Sequence, residues 1–219
     1  MATTAQANTS DGLAGFMLRV RAKGVMDAKV LKAVEMASHA NFVPVEYFGQ
    51  AWQDTSFPIG CGQTMPSPDI TAQMVNLLMP ESSSSVLEIG TGSGFQAAIL
   101  AQLAKKVHSV DRYKTLLDQA SDKLKRLGIQ NVLFSQADGN AMSKDTGLYD
   151  RIISDVAYPE MPRHLLDIMT SGGIVVTAIG EPFKEQTLVR LIKIGSRFER
   201  EDLAKVRFSG FEQGSAASI

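Results

Sequence analysis

The run Val86-Leu87-Glu88-Ile89-Gly90-Thr91-Gly92-Ser93-Gly94-Phe95 constrains this chain more than any other segment. A short apolar stretch with one acid enters three alternating glycines, and Gln96 to Ala104 beyond them is apolar, alanine-rich and free of proline. A buried strand, a tight turn and the start of a helix satisfy all three parts. Glycines at 90, 92 and 94 let the backbone reverse and expose main-chain N–H groups that a Cβ would shield, so the turn is built to receive a ligand. Spacing then narrows the ligand. A dinucleotide fingerprint of Gly-x-Gly-x-x-Gly or Ala, counted from Gly90, needs a small residue where Phe95 stands, and Glu88 would repel a pyrophosphate. A dinucleotide site and a plain glycine turn remain the alternatives at this point.

The rest of the chain supplies the fold around that turn. Strands are expected at Val86–Ile89, Val107–Val110, Val132–Ser135, Arg151–Ser154 and Ile174–Ala178, with helices at Gln96–Ala104, Tyr113–Leu127 and Pro162–Met169 in alternation. Alternation of this kind implies an α/β fold with a doubly wound, mostly parallel sheet. Thr187–Ile194 and Phe198–Phe208, joined by Gly195-Ser196, read as a C-terminal antiparallel hairpin. Ahead of the first strand come helices at Leu13–Ala22, after Asp27 and from Pro68 to Leu78, which form an N-terminal helical cap. Between them, 41–68 is broken by four prolines yet rich in apolar residues, the mark of a packed, functional loop. The expected organisation is a single domain over 1–219: a flexible tail at 1–11, cap and loop at 12–80, a cofactor core at 81–180, and hairpin and tail at 181–219.

Bulk properties limit the partners. The 219 residues carry 22 basic and 23 acidic side chains for a net charge of −1, so no global field draws the chain to nucleic acid or an anionic membrane. Lys123-Leu124-Lys125-Arg126 reads as the solvated face of a helix. One cysteine excludes an internal disulfide, no apolar run reaches spanning length, and residues 1–11 lack the apolar core of a secretory signal. A cytoplasmic location is therefore expected, with neither nucleic acid nor membrane as partner. Three histidines at 39, 108 and 164 are scattered and read as surface or helix-end residues, Cys61 reads as a small buried apolar residue, and no metal-ligand spacing or nucleophile elbow is present.

A Glu two residues before Gly-x-Gly-x-Gly resembles motif I of the class I, Rossmann-like S-adenosylmethionine-dependent methyltransferases. Their cofactor carries a sulfonium cation and no phosphate, which an acidic neighbour favours. In a doubly wound sheet a ligand crosses the carboxyl ends of the strands. Glu88 with Gly90, Thr91, Gly92 and Gly94 would meet it at the first strand, Asp111 would accept ribose hydroxyls at the second, and Asp138 with Gly139 would face the adenine at the third.

Over residues 16 to about 208 the chain is similar to one family in particular, the protein-L-isoaspartate (D-aspartate) O-methyltransferases. The likeness is carried by Leu18-Arg19-Val20-Arg21-Ala22-Lys23-Gly24-Val25, Asn41-Phe42-Val43-Pro44, Pro58-Ile59-Gly60-Cys61-Gly62-Gln63-Thr64, the glycine turn, Ala137-Asp138-Gly139, Asp150-Arg151-Ile152-Ile153 and Pro159-Glu160-Met161-Pro162. The resemblance implies methyl transfer from S-adenosylmethionine to the α-carboxylate of L-isoaspartyl residues in damaged proteins, as a repair step. A carboxylate is ionised at neutral pH and needs no general base, which suits a chain poor in histidine. Thr64 and Ser67 are the expected donors to the substrate carboxylate, with Gln63 shaping the pocket and Ile59 covering the cofactor. Helix capping is the other task open to Thr64 and Ser67. The chain departs from the family pattern at Cys61, where His is usual, at Pro66, where a Ser is usual, and at Asp155-Val156-Ala157-Tyr158, where small residues are usual. A diverged carboxyl or hydroxyl O-methyltransferase and a non-catalytic S-adenosylmethionine-binding protein are the alternatives.

Overall fold

The computed structural model describes residues 2–143, 145, 147–181, 184–210, 214 and 216, with side chains from residue 12 onward. Seven strands form one sheet in the order β5-β4-β3-β6-β7-β8-β9, preceded in the chain by a two-stranded pair, β1-β2. In the large sheet β3 is Ser85–Ile89, β4 Lys106–Asp111, β5 Val132–Gln136, β6 Tyr149–Tyr158, β7 Met169–Ile179, β8 Gln186–Ile194 and β9 Arg197–Val206, while β1 is Phe57–Pro58 and β2 Thr64–Met65. Strands β3 to β7 pair in parallel and β7, β8 and β9 antiparallel. The chain winds from β3 through β4 to β5, then returns to the other side of β3 with β6. The carboxyl ends of β3 and β6 thus flank the switch point, where a doubly wound sheet opens its crevice.

Helices cover the sheet: α1 is Ala2–Ala22, α2 Ala28–Ala37, α3 Pro68–Leu78, α4 Phe95–Leu103 and α5 Lys114–Arg126. Two of the starts have a side-chain cap. The Asp27 carboxylate accepts from Lys29 N at 2.7 Å to begin α2, and the Ser67 hydroxyl accepts from Ile70 N at 3.3 Å to begin α3, where Pro68 suits the first position. One apolar cluster joins cap to sheet, with Phe16, Val34, Phe42, Met74 and Leu100 packed together, and a second lies on the opposite face around Leu87, Ile152, Leu165 and Ile168.

The structure revises several expectations. α1 starts well before Leu13 and takes in the backbone of the residues expected as a tail; the stretch has no proline to prevent it. Of the expected C-terminal tail, 211–213, 215 and 217–219 lie outside the described residues. The helix expected at Pro162–Met169 is a three-ten helix, Arg163–Ile168, squeezed between Pro162 and a β7 that already begins at Met169. β7 runs through Gly172-Gly173 by way of a bulge, the register passing from Tyr149↔Met169 to Arg151↔Ile174. His39 is fully buried, not at the surface, bonded through Nδ1 to the Ala51 carbonyl and edge-on to Phe95 at 4.5 Å. Burial lowers its pKa to about 4. His108, half-buried on β4, bridges the Tyr149 hydroxyl at 2.6 Å and Ser135 at 2.9 Å.

Candidate active site

A cavity of about 830 Å³ opens at the switch point. Its floor is the glycine turn. Gly90 and Gly92 have φ of +98° and +51°, the left-handed region that favours glycine, and both line the cavity. A Cβ on Gly90 would stand 2.6 Å from Asp155 Oδ1, and one on Gly92 would meet Ile59 Cδ1 at 3.5 Å. Backbone N–H groups hold the acid at the end of β4 in place: Asp111 Oδ2 accepts from Gly92 N at 3.0 Å and Oδ1 from Tyr113 N at 2.9 Å. Burial nevertheless pushes the Asp111 carboxyl above its ordinary range. Asp138, after β5, caps the three-ten turn Gly139–Ala141 by accepting from Asn140 N at 2.9 Å, and its other oxygen accepts from Gly214 N at 2.7 Å.

Three residues expected to touch a cofactor lie behind this surface. Glu88, Thr91 and Gly94 do not line the cavity. Glu88 is completely buried, accepts from the Ser109 hydroxyl, and leaves Oε1 without a hydrogen-bond partner; burial raises its pKa well above the usual range. Thr91 Oγ1 joins the same Ser109 hydroxyl at 2.6 Å, so the pair pins β3 to β4. Gly94 has φ of +88°, and a Cβ there would lie 2.9 Å from Ala120 Cβ on α5, so this glycine lets two helices approach. In a fingerprint of alternating glycines these roles are indistinguishable, because sequence records the need for glycine and not the side from which it is crowded.

The opposite wall comes from the packed loop. β1 and β2 pair as a hairpin whose turn closes with Gln63 N on Gly60 O at 3.2 Å, and its central residues Cys61 and Gly62 have φ of +60° and +67°. Cys61 is partly exposed at this turn, not buried as expected. The hairpin carries Ile59, Gln63 and Thr64 to the cavity, and Ser67 joins them from the start of α3. Ser67 differs from the expected substrate donor. Its hydroxyl has one proton, which it gives to Asp54 Oδ1 at 2.7 Å while accepting from Ile70 N. The capping role open to it in the sequence is the one the geometry fills.

Asp54 ends a charged network that sequence reasoning missed. Lys23 Nζ lies 2.5 Å from Asp54 Oδ2 and 3.1 Å from Asp69 Oδ2, and Arg19 reaches Asp69 through Nε at 3.2 Å and Nη2 at 3.0 Å. Arg19 in the last turn of α1 and Lys23 just past its end stand four apart, and Asp69 lies in the first turn of α3. The network ties the cap to the loop and to Lys23 and Asp54 on the cavity wall. Also unforeseen is the path after β9, where Ala157 N bonds Ser209 O at 2.9 Å and Ala216 N bonds Arg112 O at 3.0 Å, carrying chain across the strand ends. Asp155 faces the cavity, and burial together with Asp111 raises its pKa to about 7.

A cradle that a Cβ would fill, an oriented acid at each of two adjacent strand ends and an apolar side chain over the glycines form a site for an adenosyl group with a compact, phosphate-free tail. Among the described residues no cluster of three or more His, Cys, Asp or Glu is placed to hold a metal, and no helix is long and apolar enough to cross a membrane.

Comparison with known proteins agrees with this geometry. The family model for protein-L-isoaspartate(D-aspartate) O-methyltransferase (PCMT) matches residues 14–215. A protein-L-isoaspartate O-methyltransferase of Azorhizobium caulinodans is 40% identical over 206 residues, spanning 94% of this chain and 95% of its own length. One from Rhodopseudomonas palustris is 42% identical over 193 residues, 88% of this chain and 89% of its own. Among solved structures, a Plasmodium falciparum chain assigned to the same activity, in complex with S-adenosyl-L-homocysteine, superposes with a TM-score of 0.77 at 20% identity over 90% of this chain and 97% of that one.

Proposed function

This chain belongs to the protein-L-isoaspartate(D-aspartate) O-methyltransferase family, and from that premise we infer that it methylates the α-carboxylate of L-isoaspartyl residues in proteins, with S-adenosylmethionine as methyl donor. The observation that carries the reading is the meeting, in one cavity, of the Gly90–Gly92 cradle beside Asp111 with the Ile59–Ser67 wall.

Gly90 and Gly92 offer a surface on which an adenosyl ligand can lie close to main chain, Asp111 lines the cavity where the ribose hydroxyls would come, and Asp138 with Gly139 lies at the adenine end. Bound there, S-adenosylmethionine supplies an electrophilic methyl on a sulfonium sulfur. Ile59 closes over the glycines and excludes water from the methyl. Thr64, exposed on the cavity wall with its hydroxyl available, donates to one oxygen of the substrate carboxylate and turns the other toward the methyl. Gln63, held by a 3.3 Å bond from Nε2 to Cys61 O, shapes the wall beside it. Ser67 acts through Asp54 and α3 as a positioning residue. No proton need leave the carboxylate, so catalysis is orientation and exclusion of water; such positioning contributes on the order of 7–11 kcal/mol. The nitrogen of the following residue then attacks the ester carbonyl and expels methanol to close a succinimide, whose hydrolysis returns part of the chain to aspartyl.

In this reading the whole chain works as one methyltransferase domain, with 12–80 supplying cap and substrate loop and 81–180 the cofactor core. It acts in the cytoplasm on damaged proteins, without nucleic acid or membrane as partner. Mass spectrometry of an isoaspartyl peptide after incubation with S-adenosylmethionine tests the site of transfer. A methyl ester on the isoaspartyl α-carboxylate supports the reading, and methyl found only on a hydroxyl or on another carboxylate overturns it.

A further inference from the structure

The charged group that the proposed reaction leaves without a task is Asp155. It stands on β6 with Oδ1 against Gly90, so close that a Cβ on the glycine would lie 2.6 Å away, and its side chain reaches the cavity. The charge beside it is of the same sign: burial and Asp111 on β4 both oppose its ionisation, and the bond that favours its charge comes from its own backbone N–H. A carboxylate set beside another in a partly buried wall is costly for the free protein, and a ligand cation arriving there would relieve that cost.

Strand order says which part of a ligand arrives there. Asp138 and Asp111 follow β5 and β4, the two strands on one side of β3, whereas β6 lies on the other side. A donor whose adenine and ribose occupy the β5 and β4 ends crosses the glycine turn at β3 and brings its methionine portion to β6. That portion carries two positive groups, the sulfonium and the α-ammonium. We propose that Asp155 is the counter-charge for the cationic methionine portion of the methyl donor, and that it sets the preference of this site for a charged donor. The inference rests on the reading of S-adenosylmethionine as donor.

Calorimetric titration of the unmutated chain, Asp155→Asn and Asp155→Thr with three ligands separates the possibilities. S-adenosylmethionine carries both cations, S-adenosylhomocysteine the ammonium alone, and methylthioadenosine neither. Loss of a charge-assisted contact is expected to weaken S-adenosylmethionine binding about 10- to 100-fold in both variants and leave methylthioadenosine within about twofold. Equal losses for S-adenosylmethionine and S-adenosylhomocysteine identify the ammonium as the partner, and a loss confined to S-adenosylmethionine identifies the sulfonium; either upholds the proposal. Unchanged S-adenosylmethionine affinity in a variant that binds methylthioadenosine normally overturns it, as does a folded variant that loses all three ligands alike. Should both variants unfold, the unmutated chain decides. It must lose affinity about tenfold or more on removal of the amino group from S-adenosylhomocysteine, or on exchange of sulfonium for sulfide, and insensitivity to both overturns the proposal. Binding of none of these ligands by the unmutated chain would instead strike at the donor itself, a failure separable from that of Asp155.

Discussion

Gly94→Ala should destabilise the protein without any ligand being involved. The added Cβ would lie 2.9 Å from Ala120 Cβ, 3.2 Å from Leu124 Cδ1 and 3.3 Å from Ala120 Cα, all on α5, and the backbone at this position has φ of +88°. An L-residue held in the left-handed region costs about 1–2 kcal/mol, and overpacking between helices about 1–3 kcal/mol, so the sum is roughly 2–5 kcal/mol. That is a large share of the about 5–15 kcal/mol that holds a domain folded. The two parts are separable. Ala120→Gly removes the atom in the way and leaves the φ cost; alone it costs about 1 kcal/mol in a helix interior. The double variant should therefore be more stable than the sum of its parents by about 1–2 kcal/mol. Urea unfolding followed by far-ultraviolet circular dichroism measures all four proteins of the cycle. Strict additivity, or a Gly94→Ala variant as stable as its parent, would refute the packing role, and a stable variant that had lost only donor affinity would return Gly94 to direct contact with the ligand.

Other consequences concern the core, the cap and the substrate wall. His39 has an ordinary pKa of 6.5 and about 4 in the fold, so the unfolded chain takes up the proton first. Stability should therefore fall by about 3 kcal/mol as pH drops from about 6.5 towards 4, and His39→Gln should flatten that limb of a Tm-against-pH curve; an unchanged slope contradicts a buried neutral imidazole. Asp69→Asn leaves Arg19 without its carboxylate partner and Lys23 with Asp54 alone, but these side chains are 39% and 37% exposed and can rehydrate, so a loss of about 1–3 kcal/mol is expected by urea unfolding. A neutral result would show that the network does not hold α1 to α3. Ser67→Ala should cost about 1–2 kcal/mol of stability through the lost cap with kcat/KM on an isoaspartyl peptide reduced less than tenfold, whereas Thr64→Val should lower kcat/KM about tenfold or more at unchanged stability. The reverse pattern would make Ser67 the substrate donor.

The cofactor half of the site was legible because it rests on local chemistry. A strand, three glycines and a helix in immediate succession admit one turn, and Asp111 ends its strand while Asp138 comes two residues after its own, so periodicity placed them at the carboxyl ends of the sheet. The contacts that the sequence did not reveal are those whose deciding neighbour is remote along the chain. Gly94 is crowded by Ala120, and Glu88 faces Ser109 in the interior, neither of which a turn motif encodes. Ser67 had two tasks open to it, and its hydroxyl proton goes to Asp54, 13 residues earlier, which Lys23 just past α1 holds in place. His39 was misplaced because its partners are Ala51 and Phe95, aligned only after α2 docks on α4. The bulge in β7 hid a strand behind Gly172-Gly173, since glycine pairs mark turns more often than strand interiors.

Methyl transfer to an isoaspartyl peptide, measured beside its aspartyl twin with labelled S-adenosylmethionine, tests the central claim most directly. Steady labelling of the isoaspartyl peptide is expected, and none above background for the twin. Equal labelling of the two, or labelling of neither by a protein that binds the donor, would contradict it.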